Sequence, residues 1–349
     1  MLILLEDLIL VTGANGFVGS NVVSRLLEQG FTNIRCFVRP SGDLRRLKGV
    51  TAQFPRARVE LHYGNLLSRE HCRSAMRGVA LVYHVAAGIE KTFPGCFMNS
   101  VVTTRNLLDA AREEGRLQRF VNVSSLAVYS NRKIRRGSLL DESCELESQF
   151  MKRYDAYCYG KTKQDELVID YGRRYNLPYV IVRPGPIYGP GARGAIHSRV
   201  GIDTFGVFLH LGVSNRIPSS YTDNCASAIV LAGITEGVDG EIFNVIDDDL
   251  PTSAAFLRRY KKEVTRFASI PVPYPMFHMF CRLWEKYAEW SRGQLPPAFN
   301  RTKCEAEWKR HRYSNQKLKD RLGWKPLVPT EEGLRRHFEY FRDLGGARA

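Results

Sequence analysis

The stretch "VTGANGFVGSNVV" at 11–23 places Gly13, Gly16 and Gly19 between a short apolar run and the start of an amphipathic helical pattern. No other feature restricts the fold as much. A strand that passes directly into a helix through glycines gathers bare backbone N–H groups and the positive end of a helix dipole at one point. Gly13 and Gly16 allow a sharp turn and close approach of an anionic group, and Gly19 allows the new helix to lie tightly on the sheet. Asn15 and Phe17 complete the turn. A pyrophosphate-bearing dinucleotide is the ligand that such a turn suits.

The chain after the turn keeps the same rhythm. "IRCFV" (34–38), "VELHYG" (59–64), "ALVYHVAA" (80–87), "RFVNVSS" (119–125), "PYVIVRP" (178–184) and "EIFNVI" (241–246) are short apolar segments. They alternate with helical patterns at 21–30, 103–115, 156–175 and 224–234. Near-continuous apolar strands between helices predict a parallel sheet covered on both faces. The expected class is α/β, a doubly wound (Rossmann) parallel sheet with a smaller, mainly helical carboxy-terminal substrate domain. The expected division assigns 1–186 and 219–250 to the dinucleotide domain and 187–218 and 251–349 to the substrate domain.

The formal net charge of +15 favours acidic ligands or an anionic surface without naming one. No basic array interleaved with aromatics points to nucleic acid. The eight cysteines include no Cys-x-x-Cys pair and no metal-ligand spacing, which predicts a reducing, cytoplasmic setting and no metal. Glu6 and Asp7 interrupt the apolar amino terminus, which also lacks a basic start and a cleavage site, so it does not read as a signal peptide. The aromatic and basic segment 274–299 has two readings. It is a helix at a membrane surface, or a core helix capping a substrate pocket, and Glu285 and Glu289 favour the second.

The second strand ends "CFVRPSGDLRRL", with Arg39 where an NAD-preferring site would carry a carboxylate. A guanidinium suits a ribose 2′-phosphate, so NADP is expected ahead of NAD. Ser124 and Ser125 close the strand at 119–125, at the sheet edge where ligands of such folds bind. On the next helix, "YDAYCYGKTKQ" holds Tyr-x-x-x-Lys twice, as Tyr157/Lys161 and Tyr159/Lys163.

Taken in order, these motifs resemble the extended branch of the short-chain dehydrogenase/reductase superfamily. The resemblance runs through the glycine turn, "GNL" (64–66), "VAA" (85–87), "VSSLAVY" (123–129), Tyr-x-x-x-Lys, "RPGPIYGPG" (183–191), "SYTDNCASAIVLA" (220–232) and "KLKDRLGWKP" (317–326). It implies Ser125 as the catalytic serine. It also implies a cofactor lined by Asn65 (usually aspartate), Leu66, Ala86, Ala87, Lys161, Pro184, Gly185 and Ile187, and a homodimer built through helices that include the Tyr/Lys helix.

Spacing does not separate the two Tyr/Lys pairs, but helical phase does. At about 100° per residue, Leu167, Val168, Tyr171 and Tyr175 form one stripe. Tyr157 and Lys161 fall on or beside that stripe, and Tyr159 and Lys163 point largely away. Lys161 also lies 22 residues before Arg183, the interval common among relatives. Against this, "YGKTK" at 159–163 is nearer the family's usual wording. The balance favours Tyr157 as acid/base, Lys161 as the charge that lowers its pKa, and Ser125 as the group orienting the substrate oxygen.

The resemblance implies a nicotinamide oxidoreductase acting on a small molecule. "RPGPIYGPG" puts Pro186 where sugar-nucleotide enzymes carry asparagine, which favours a ketone/alcohol pair on an apolar substrate. Arg216, seven residues before Asp223, matches instead the arginine aimed at a nucleotide sugar and keeps epimerisation or dehydration open. A dinucleotide sensor without catalysis is a further alternative. Retention of Ser, Tyr and Lys together weighs against it.

Overall fold

The computed structural model describes residues 1–345 apart from 205 and 293. Seven parallel strands form the main sheet: β1 (Ile9–Thr12), β2 (Asn33–Val38), β3 (Arg58–Tyr63), β4 (Leu81–His84), β5 (Arg119–Val123), β6 (Tyr179–Pro184) and β7 (Ile242–Val245). Their order across the sheet is β3-β2-β1-β4-β5-β6-β7. The order reverses between β1 and β4, and that switch point is where open α/β sheets leave a crevice for ligands.

Successive residues in the strands face opposite layers. Ile9, Val11, Val121 and Val123 join one buried cluster with Val22, Val23 and Leu26 of α1 (Phe17–Glu28). Leu10, Phe120 and Ile181 join another, with Leu107 and Leu108 of α2 (Thr103–Glu114) and Val168 and Tyr171 of α3 (Ala156–Tyr175). Burial on both faces explains why these strands read as apolar runs with no alternation. α4 (Thr222–Ile234) packs beside α1 on the first layer.

Local chemistry sets the ends of α3. Asp155 caps it by accepting the Cys158 N–H at 2.9 Å, and Asn176 ends it in the left-handed region at φ 51°. The interval preceding α2 is a π-helical stretch, Phe97–Val102.

Among the described residues the carboxy-terminal region holds five helices, at Ser253–Glu263, Tyr274–Trp290 (α5), Arg301–Trp308, Gln316–Leu322 and Thr330–Asp343. Helices were expected there, but a small sheet was not. Gly201–Thr204 and Val207–Leu211 pair antiparallel, and Ser269–Val272 joins them in parallel.

The glycine turn shows the expected necessity. Gly13 adopts φ 67°, and a Cβ on Gly19 would lie 2.0 Å from the Gly13 carbonyl oxygen. Gly49, in the helix Arg45–Thr51, has nothing within 4 Å of the same position. Gly19→Ala should therefore lower stability in urea unfolding by about 1–3 kcal/mol through forced backbone displacement. Gly49→Ala should raise it by roughly 0.5–1 kcal/mol, by restricting the unfolded chain.

Candidate active site

The glycine turn after β1 meets the segment that follows β4. Gly16 caps α1 without any side-chain hydrogen bond to the first-turn N–H groups. A Cβ on Gly13 would lie 3.0 Å from the Ala86 backbone nitrogen, so the turn fits closely against the segment following β4. This cradle of bare backbone at a helix start fits the pyrophosphate of a dinucleotide. Asn15 ties the turn to the loop after β2 by donating to the Asp43 carbonyl at 2.9 Å.

Arg39 is exposed in that loop. Arg45 is neutralised by Asp43, whose carboxyl it holds down at about 2. Arg46 lies over the Phe17 ring, 5.5 Å from its centroid, and donates to the Gly191 carbonyl at 2.6 Å. Asn65, also exposed, turns its amide oxygen back to accept the Leu67 N–H at 3.0 Å. Leu66 is buried and Ala87 is half-buried.

α3 brings its first two turns to the end of β5. Lys161 is only 3% exposed, and its ammonium donates to the Val123 carbonyl at 2.6 Å and to Gln164 Oε1 at 2.9 Å. Burial pulls its pKa down to about 8, with Asp165 opposing. Tyr157 lies near enough to Ser125 for the serine to influence its phenol. Burial pushes the phenol up to about 12, and the contact with Ser125 is the leading influence in the other direction. Ser125 Oγ accepts the Ala127 N–H at 3.1 Å as it caps the turn Leu126–Val128. Its hydroxyl hydrogen is therefore directed elsewhere.

The second pair has different surroundings. Lys163 is partly exposed and ion-paired to Glu166 at 2.6 Å, and Tyr159 packs edge-on against Phe93 and Phe150. The structure thus brings Ser125, Tyr157 and Lys161 together at one strand end and leaves Tyr159 and Lys163 outside that group.

A buried polar chain, which sequence reasoning missed, links Lys161 to the glycine turn. Gln164 Nε2 donates to Thr104 Oγ1 at 2.8 Å, and that hydroxyl donates onward to the Ser100 carbonyl. Thr104 Oγ1 must then accept from His84 Nε2, 2.8 Å away, which makes Nε2 the protonated nitrogen. His84 Nδ1 in turn accepts from Thr12 Oγ1 at 2.8 Å, and Thr12 accepts the Ala86 N–H at 3.2 Å. Burial and the nearby Lys161 push His84 down to about 3, so it is neutral, as this donor order requires. Polar residues inside otherwise apolar strands and helices were the available signal. Below α3, Asp165 accepts from Arg183 Nε at 3.0 Å and from Asn122 Nδ2 at 2.9 Å, which anchors the helix to β5 and β6.

Beyond β6, Gly185 passes where any Cβ would collide with the Pro218 carbonyl, and Ile187–Tyr188 pairs with Ser220–Tyr221. Pro186 and Ile187 line a cavity of about 280 Å³ with Ala195, Ile196, Phe256 and His337. His337, buried, holds the loop above by accepting the Gly189 N–H at 3.2 Å while its other nitrogen meets the Ala195 carbonyl at 3.0 Å. Arg216 is exposed, and its guanidinium is held by the Leu250 carbonyl at 2.6 Å.

A family model described as the NAD dependent epimerase/dehydratase family matches residues 9–245. Cinnamoyl-CoA reductase 1 of Petunia hybrida is 30% identical over 201 residues, 56% of this chain and 58% of the relative, so the match spans a little over half of that protein. The 3-beta-hydroxysteroid dehydrogenase of Mycolicibacterium neoaurum is 25% identical over 96% of this chain and 92% of its own length. The Bacillus cereus UDP-glucuronic acid 4-epimerase, solved in complex with NAD, superposes with a TM-score of 0.71 over 97% of this chain and 99% of that one, at 20% identity.

The Lys161 environment is open to direct titration. Its folded pKa lies below the unfolded value of 10.5, so the penalty for the buried charge is complete at low pH and is relieved as pH rises from about 8 to about 10.5. In NMR of ε-carbon-labelled lysine, one resonance should titrate near pH 8 and vanish in Lys161→Met. Gln164→Leu, which removes an acceptor from the ammonium, should move that midpoint lower by roughly half a unit or more. An unmoved midpoint contradicts the contact.

Proposed function

The chain belongs to the NAD dependent epimerase/dehydratase family, and from that premise we propose that it interconverts a ketone and a secondary alcohol on an apolar substrate, using NADP. The observation that carries this reading is the convergence of Ser125, Tyr157 and Lys161 at the end of β5, and the mainly apolar cavity lined by Pro186 and Ile187 after β6 supports an apolar substrate. The division of labour follows the proposed boundaries. Residues 1–186 and 219–250 hold the dinucleotide, and 187–218 and 251–349 form the substrate side.

Gly13, Asn15, Gly16, Phe17 and Gly19 would hold the pyrophosphate, Arg39 the ribose 2′-phosphate, and Asn65, Leu66, Ala86 and Ala87 the adenosine side of the crevice. Pro184, Gly185 and Ile187 would border the nicotinamide. When bound, the nicotinamide supplies or accepts the hydride exchanged with the substrate carbon. Ser125 donates its hydroxyl hydrogen to the substrate oxygen and fixes that oxygen beside Tyr157. Tyr157 gives its proton to this oxygen in reduction and takes it back in oxidation. Among the described residues, two of the three Lys161 donors are taken by Val123 and Gln164, which leaves one for the cofactor ribose. Lys161, one helical turn from Tyr157, would favour phenolate over phenol through its charge; in the structure burial dominates at the phenol, and the opposing influence comes from Ser125.

Pro186 supports this reading over sugar-nucleotide chemistry in one respect. It stands in the cavity wall with no amide to offer a sugar, whereas Arg216, exposed and bonded through one nitrogen to the Leu250 carbonyl, keeps donors for either ligand. The full-length similarity to a 3-beta-hydroxysteroid dehydrogenase points the same way.

Nicotinamide absorbance separates the alternatives. Apolar cyclic ketones should cause net consumption of NADPH, and Arg39→Glu should raise the KM for NADPH about tenfold or more while sparing NADH. Turnover of UDP-sugars with no net change in cofactor contradicts the proposal, and so does an Arg39→Glu enzyme with unchanged cofactor preference.

A further inference from the structure

α5 is not the fully covered helix that its aromatic content suggested. Phe277 and Cys281 are buried against Leu211, Cys304, Trp308 and Phe299, and Ala288 is buried on the same side. On the other side Met276 is 65% exposed, Leu283 60% and Trp290 76%, with Met279, Phe280 and Tyr287 also exposed. At about 100° per residue these six side chains share one arc of roughly 100°. A soluble helix would carry polar residues there.

Charge marks what this arc meets. Arg282 and Lys286, both exposed, border the arc on the side away from the buried face. Glu285 lies nearly opposite the arc and is held by Arg301, through its N–H and its guanidinium, at 2.7 Å each. Glu289 also falls outside the arc. The presented surface is therefore apolar with a basic margin, on a chain of net charge +15. Trp290 and Tyr287, with apolar rings and polar N–H or O–H tips, suit the boundary between headgroups and acyl chains. A second copy on the same face would bring the basic margin against itself. No helix among the described residues is long and apolar enough to cross a membrane.

We infer that α5 is a docking surface for an anionic lipid bilayer, with its apolar arc in the headgroup boundary and Arg282 and Lys286 on lipid phosphates. The placement has a use. Phe280 and Trp284 pack on Phe299, and the adjacent Asn300 donates to the Arg153 carbonyl at 3.1 Å. The Arg153 guanidinium pairs at 3.1 Å with Asp155, the cap of α3. The docked face is thus one packing layer from the start of the helix that carries Tyr157, which suits delivery of a substrate dissolved in lipid. The docking itself does not depend on the reaction proposed above, and its test reads binding alone.

The experiment is sedimentation of the full chain with vesicles of phosphatidylcholine alone and of phosphatidylcholine mixed with phosphatidylglycerol, with molecular mass measured in parallel without lipid. The wild type should bind the anionic vesicles, and rising salt should weaken the binding. Leu283→Asp with Tyr287→Asp should abolish it, and Lys286→Glu should weaken it by about tenfold or more. These positions are exposed, so the fold does not depend on them. Absence of binding to either vesicle at low salt overturns the inference. So does binding that the variants leave unchanged. A wild-type dimer that the variants convert to monomer, with no vesicle binding, also overturns it and assigns the face to a second copy.

Discussion

A buried ammonium needs acceptors, and the arrangement of this crevice follows from how Lys161 finds them. Removing a charge from water is costly unless hydrogen bonds and opposite charge replace the solvent. The Val123 carbonyl, Gln164 and nearby Asp165 do so here, and each fixes something else. The contact with Val123 sets the phase of α3 against β5 and so turns Tyr157 toward Ser125. Gln164 extends the contact through Thr104 and neutral His84 to Thr12, at the mouth of the glycine turn. The two halves of the crevice, the glycine turn and the end of β5, are thereby held in a fixed relation by a continuous chain of donors and acceptors. A one-sided loss in such a chain leaves a buried group unpaired, which costs more than the single hydrogen bond is worth.

The same logic divides the two sides of the site chemically. On the proposed cofactor side the working parts are backbone N–H groups, bare because glycines allow no side chain, together with the exposed arginine after β2. On the proposed substrate side they are hydroxyls at the end of β5, and the segment after β6 lines a cavity whose walls are mostly apolar. α5 adds a second apolar surface. Its apolar arc lies on the carboxy-terminal region that also supplies the cavity's Phe256 and His337.

Much of this was legible in the sequence, for definite reasons. The seven strands were readable because burial on both faces leaves apolar runs, and the glycine turn because its geometry admits no other residues. Helical phase selected Tyr157 and Lys161, since the stripe that packs on the sheet must also carry whatever faces the crevice. Local wording pointed to Tyr159 and Lys163, which lie beside Phe150 and Glu166. The pairing of Gly201–Thr204 with Val207–Leu211 was not legible because both strands are short and carry no clear alternation, and Ser269–Val272 reaches them from far along the chain. His84, Thr104 and Gln164 were passed over because each lies in an apolar segment, and their meaning arises only when β4, α2 and α3 come together. For α5, a helical apolar period is the same whether the face meets protein or lipid, and only the fold shows which part of it is left uncovered.

The account rests on Tyr157 as the proton-transfer group. The direct measurement is kcat for Tyr157→Phe and Tyr159→Phe in parallel, with NADPH affinity measured for each. The account predicts that Tyr157→Phe loses about 10²–10⁴-fold in kcat with NADPH binding intact, while Tyr159→Phe keeps most of its activity. Full activity in Tyr157→Phe, with loss in Tyr159→Phe, would contradict it.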